Sequence, residues 1–147
     1  MKKRLLKKKR GASAVEFAII LPVLVLLVFG IIELSFALYD QAMITNASRE
    51  GARFGIVYRV PVVTDAEIAS VVNNYLGTRL ITFGGRRSPS SSPVSGATVI
   101  VTRTGVSPGN NLRVRVGYTY SFLVLPKFTP GLGGGINMAA ETVMRME

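Results

Sequence analysis

The chain has no cysteine, no histidine and no tryptophan. Without cysteine there is no disulfide framework, thiolate metal site or cysteine nucleophile. Without histidine, the commonest general base and metal ligand is missing. Lysine is almost confined to the first ten residues; beyond them only Lys127 occurs. A Ser–Lys nucleophile pair would have to use that lysine, and no serine motif flanks it. The acids number eight, and Glu16 and Glu33 lie within an apolar stretch. These shortages weigh against an enzyme, and no cofactor or metal is expected.

What is present is uneven. The net charge of +10 suggests nucleic acid until its location is considered. Seven of the 18 basic residues fall in MKKRLLKKKR (residues 1–10) and all eight acids lie outside it, so the rest of the chain carries +3. The basicity is a terminal block, not a groove-lining surface, and no nucleic-acid partner is expected.

Behind that block the chain turns apolar. Ala12 to Tyr39 contains two charges, Glu16 and Glu33. The uncharged run Phe17–Ile32 is 16 residues long. As a helix it spans roughly 24 Å, short of a hydrocarbon core of about 30 Å. Continuing to Tyr39 lengthens it to about 34 Å. Glu33 must then snorkel outward to an interface or meet another membrane protein. The run is apolar on every face, which opposes an amphipathic surface helix. The positive-inside rule puts the basic block in the cytoplasm and residues from about 40 onward across the membrane.

The helix is expected to continue through DQAMITNASREGARF and end between Gly55 and Val57. Tyr39, Met43, Ala47 and Gly51 recur at spacing four as a narrow, mostly small stripe. Glu50 and Arg53 are placed to pair at i,i+3. VYRVPVV then reads as an extended linker or an edge strand broken by Pro61. Thr64–Glu67 forms a capping box for a short helix to about Leu76, with Ile68, Val71, Val72 and Tyr75 facing inward. GGRRSPSSSPVSG (residues 84–96) reads as a loop carrying a solvated Arg86–Arg87 pair.

Three strands complete the chain: Ala97–Arg103, Asn111–Phe122 and Ile136–Met146. In the second, Leu112, Val114, Val116, Tyr118, Tyr120 and Phe122 alternate with polar residues. That alternation favours a core face over an aromatic platform for nucleic-acid stacking. The expected fold class is α+β: a long N-terminal transmembrane helix, a short helix, and an antiparallel sheet of about three strands. The division is residues 1–11 as a basic leader, 12–57 as the membrane and extended helix, and 58–147 as the exported domain.

The junction at Gly11 holds a further feature. Ser35-Phe36-Ala37 would pass for a signal-peptidase site, yet that does not explain Gly11 at the end of the basic block with Glu16 five residues later. GASAVEFAIILPVLVLLVFGIIE resembles the N-termini of type IV prepilins and pseudopilins. TNASREGAR (Thr45–Arg53), RGASAVEFAIILP and the terminal AAETVMRME narrow the resemblance to the TadE-like family, minor pseudopilins of the tight-adherence (Flp, type IVb) pilus system.

The resemblance implies a pilin-like fold and a part in assembly or secretion of adhesive pili. Its partners would be prepilin peptidase, other pilus-assembly membrane proteins and pilins, at the bacterial inner membrane. It implies cleavage after Gly11, on the cytoplasmic side, with the helix retained. Ala12 becomes the new N-terminus, and Glu16 pairs with the amine of a neighbouring subunit. Ala12 departs from the aromatic residue that often follows the cleavage site in the wider family. Asn46, Arg49, Glu50, Gly51 and Arg53 are the family-motif positions, for packing or partner contact. The alternative is an uncleaved single-pass anchor displaying a protein-binding domain.

Overall fold

The computed structural model describes residues 2–77, 79–81, 96–123 and 135–147. The loop expected at 84–95, with Arg86 and Arg87, and the Pro126–Pro130 loop lie outside the described residues. The elements are α1 (Lys2–Gly55), α2 (Asp65–Gly77), β1 (Ala97–Arg103), β2 (Asn111–Tyr120) and β3 (Ile136–Arg145). The fold is therefore α+β, and among the described residues one helix is long and apolar enough to cross a membrane.

α1 is one helix with two environments. From Gly11 to Ile32 its side chains are exposed almost throughout. From Glu33 onward one face is buried: Glu33, Ala37, Asp40, Ile44, Ala47, Ser48, Gly51, Ala52 and Gly55. These positions repeat at spacings of three and four, as one helix face requires. The expected stripe through Tyr39 and Met43 is corrected here. Tyr39 is exposed and Met43 only half-buried, while Ala47 and Gly51 are buried. A strict spacing of four advances about 40° per step on a helix of 3.6 residues per turn, so it drifts off any fixed face.

Small residues on this face let α2 and β2 approach closely. A Cβ on Gly51 would overlap Val72, and one on Gly55 would lie 2.5 Å from both Ile68 Cδ1 and Leu112 Cδ2. Residues 56–64 form an irregular link with a cis Val60–Pro61 bond, not an edge strand. The capping box at α2 forms: the Thr64 amide donates to Glu67 Oε2 at 2.7 Å, and the Glu67 amide to Thr64 Oγ1 at 3.2 Å. The Thr64 amide and the Thr64 hydroxyl, which donates to Glu67 Oε2 at 2.9 Å, hold the Glu67 carboxyl below its ordinary range, with Arg59 beside them. α2 buries Ile68, Val72 and Leu76. Val71 and Tyr75, expected inward, are half-buried, and Tyr75 lies under the Arg79 guanidinium at 4.0 Å. Val72 lies against Gly51 and Ile68 against Gly55, which puts this row of α2 on the side facing α1.

The sheet is an antiparallel meander in the order β1–β2–β3. β2 buries Leu112, Val114, Val116, Tyr118 and Tyr120 against the helices; Phe122 lies beyond the strand end and is half-buried. The aromatic stripe is thus core. Opposite faces alternate into solvent, where Arg113 pairs with Glu141 at 3.0 Å and Thr119 donates to Asn137 Oδ1 at 2.7 Å. β2 runs antiparallel to the upper half of α1. Leu112 lies at Gly55, and Tyr120 reaches Glu33.

Candidate functional site at the helix–domain junction

The buried face of α1 carries two acids seven residues apart. Glu33 is 3% exposed and Asp40 0%. A spacing of seven returns to nearly the same side of a helix, so both point toward the sheet. Glu33 Oε1 accepts the Leu123 amide at 2.6 Å, and the Glu33 carbonyl accepts the Tyr120 hydroxyl at 3.3 Å. Glu33 therefore neither snorkels nor awaits another membrane protein in this fold; its partner is the same chain, 90 residues away. A buried carboxylate needs such donors to offset lost hydration.

Asp40 Oδ1 accepts the Ile81 amide at 2.9 Å. Its Oδ2 is buried with no hydrogen-bond partner among the described residues. Burial raises the Asp40 pKa above 3.8, against the opposing pull of the Ile81 amide. The same surroundings act on the phenols. Burial first, and the nearby Asp40 next, push Tyr118 up to about 12; burial, then Glu33 and Asp40, push Tyr120 up to about 12. Both phenols thus remain protonated donors at neutral pH.

Further up α1, Gln41 Nε2 donates to the Ala139 carbonyl at 3.2 Å, and Ser48 and Thr142 hydroxyls meet at 2.7 Å. Arg103 from β1 secures the start of α2. It donates to the Val63 carbonyl at 2.6 Å and sets Nε 2.7 Å from Asp65 Oδ1, an ion pair without hydrogen-bond alignment.

The residues singled out in the sequence fall into separate places. Gly11, Ala12 and Glu16 are exposed on the free lower part of α1, and a Cβ on Gly11 would meet nothing within 4 Å. Within the 46–53 motif, Gly51 is packed inward, Asn46 and Glu50 are half-buried, and Arg49 and Arg53 are exposed. Glu50 and Arg53 pair at 3.5 Å. Asp40 escaped the sequence reading; its seven-residue spacing from Glu33, on the face shared with Ile44 and Gly51, was the available signal. No group of three or more metal-ligating side chains occurs among the described residues.

A family model described as TadE-like protein matches residues 11–53. The chain is TadE-like over that segment. The TadE-like segment covers the exposed apolar part of α1 and most of its buried upper face, ending two residues before the helix does. This similarity suggests involvement in tight-adherence (Tad/Flp) pilus systems, and the apolar helix suggests a membrane anchor. No curated protein and no solved structure matches the chain.

Proposed function

We propose that this chain is a minor pseudopilin-like component that takes part in assembly or secretion of Flp (type IVb) pili. Prepilin peptidase cleaves it after Gly11, on the cytoplasmic side, and the helix is retained. The observation that carries this reading is the Gly11–Glu16 junction on an exposed apolar helix, inside a segment that matches the TadE-like model. Orientation follows from the basic block: the N-terminus is cytoplasmic and the sheet domain lies outside the inner membrane.

The roles divide accordingly. Ala12 supplies a new amine after cleavage. Glu16 pairs with the amine of a neighbouring subunit, which lowers the cost of holding either charge in the membrane. Gly51 serves packing against α2, while Arg49 and Arg53 face outward for other pilus-assembly proteins. Retention of the helix also suits the fold. A cut after Ala37 would discard Glu33 and leave the Leu123 amide and Tyr120 hydroxyl without their acceptors.

N-terminal sequencing of the membrane-extracted protein tests this. The expected start is Ala12, and Gly11→Leu should abolish processing. A full-length chain in cells with active prepilin peptidase would establish the uncleaved single-pass anchor instead. Glu16→Ala should be cleaved normally yet lower surface piliation; unchanged piliation would remove the pairing role.

A further inference from the structure

We infer that the near end of the sheet domain rests on the lipid bilayer itself, through an apolar collar formed by Leu34, Leu38, Tyr39, Phe122, Leu123 and Ile136. This rests on α1 crossing a membrane and is independent of the pilus role.

The first observation is positional. Residues 12–32 form about 31 Å of helix, close to the hydrocarbon thickness of about 30 Å. Glu33 is the next residue, so the hydrogen bond from the Leu123 amide fixes the end of β2 at the boundary of the apolar run. Leu34 lies about 3 Å beyond Ile32 along the axis, and Leu38 about 9 Å. The polar interfacial layer of each leaflet is about 5–8 Å deep, so Leu34 lies within it and Leu38 at its outer edge.

The second observation is chemical. Leu34 and Leu123 are each 53% exposed and Leu38 65%, beside the exposed Tyr39 and Ile136. Ile136 pairs with Tyr120 in the sheet, so it belongs to the same end. The Phe122 ring packs edge-on against Tyr120 at 5.3 Å, which holds it beside the collar. This end carries no charged residue in 118–123 or 135–140, whereas Arg103, Arg145 and Glu147 lie at the other. Apolar exposure at one end, continuous with a membrane span, fits the interface, where aromatic and aliphatic side chains settle.

The absence of cysteine permits single-cysteine variants of the full chain, spin-labelled after reconstitution into phosphatidylethanolamine/phosphatidylglycerol vesicles. Leu24→Cys reports the mid-span, Leu123→Cys the collar, and Val106→Cys the far turn between β1 and β2. Collision with a water-soluble nickel chelate should be several-fold lower at Leu123→Cys than at Val106→Cys, with molecular oxygen access the reverse. Equal chelate access at the two positions, with Leu24→Cys lipid-exposed, would overturn the collar and leave the span intact. Aqueous access at Leu24→Cys would overturn both. Protection of Leu123→Cys from both reagents, with spin–spin broadening, would overturn the lipid assignment in favour of a second copy of the chain.

Discussion

The two halves of α1 share one continuous backbone but differ in composition and surroundings: residues 11–32 carry a single charge, Glu16, whereas 33–55 carry five, Glu33, Asp40, Arg49, Glu50 and Arg53. Below Glu33 the helix exposes Ile19, Ile20, Leu27 and Ile31 on all sides. Above it, Ile44, Ala47 and Ala52 are fully buried, and the small residues beside them let a sheet and a second helix close in. The lower half is suited to a solvent that is itself apolar; the upper half makes its own interior. Hydropathy, side-chain size and buried polar anchors together separate the two. The lower half has bulky side chains and one acid, Glu16, near its start. The upper half alternates small residues with Glu33, Asp40 and Ser48, each of which accepts or shares a hydrogen bond from the sheet side or the segment before it, although one Asp40 oxygen stays unpartnered among the described residues.

A matched pair of truncations tests the contrast most severely. Ile44→Ala should destabilise the domain by about 2–5 kcal/mol, the usual loss for a buried isoleucine. Ile20→Ala, in the exposed half, should leave the domain's thermal midpoint in detergent unchanged. Equal effects would dissolve the distinction between the halves. Next in size is overpacking. Gly51→Leu should cost at least about 1–3 kcal/mol, because even its Cβ overlaps Val72. Ala18→Leu should cost nothing measurable by the same melt.

Asp40 sharpens the comparison through pH. Its folded pKa is raised, so the protonated form is favoured in the fold and the acid is better tolerated at low pH. The associated stability is present below its unfolded value near 3.8 and is lost as pH rises through the elevated folded value. Asp40→Asn should therefore gain on the wild type as pH rises from about 4 to 7, in paired melts of the full chain. A difference that stays constant with pH would show that Asp40 does not titrate in this window. The smallest effect belongs to the surface pair: Glu50→Ala should shift stability by about 0.5 kcal/mol or less, since Arg53 is largely in solvent and Glu50 only half-buried.

Local patterns carried much of the fold. The strand starts, the helix end at Gly55 and the Thr64–Glu67 cap were all legible, because each depends on a few neighbouring residues. Alternation along β2 named the buried side chains correctly through Tyr120. The failures share a cause. Glu33 meets Leu123 across 90 residues and Asp40 meets Ile81 across 41, and no local period encodes either meeting. The inward face of α2, read as Ile68, Val71, Val72 and Tyr75, held for Ile68 and Val72 and partly for Tyr75, which packs half-buried against the core; it missed Leu76, because periodicity alone does not say which row α1 will cover. As to the site, the Gly11–Glu16 junction and the 46–53 segment were visible as motifs, whereas the Glu33–Asp40 junction emerged only from the fold.

The antiparallel return of β2 along α1 also orders the making of contacts. Part of the upper half of α1 meets its partners only in β3 and just after it: Ala139 and Thr142 for Gln41 and Ser48, and the amide of Glu147 for the Ile56 carbonyl just past the helix. Contacts across so much chain form slowly. α2 and β2 can cover Gly51 and Gly55 before that, but the side of α1 at Gln41 and Ser48 stays open until β3 pairs with β2. Closure of the domain thus waits on the described strand that lies farthest in sequence from the start of α1.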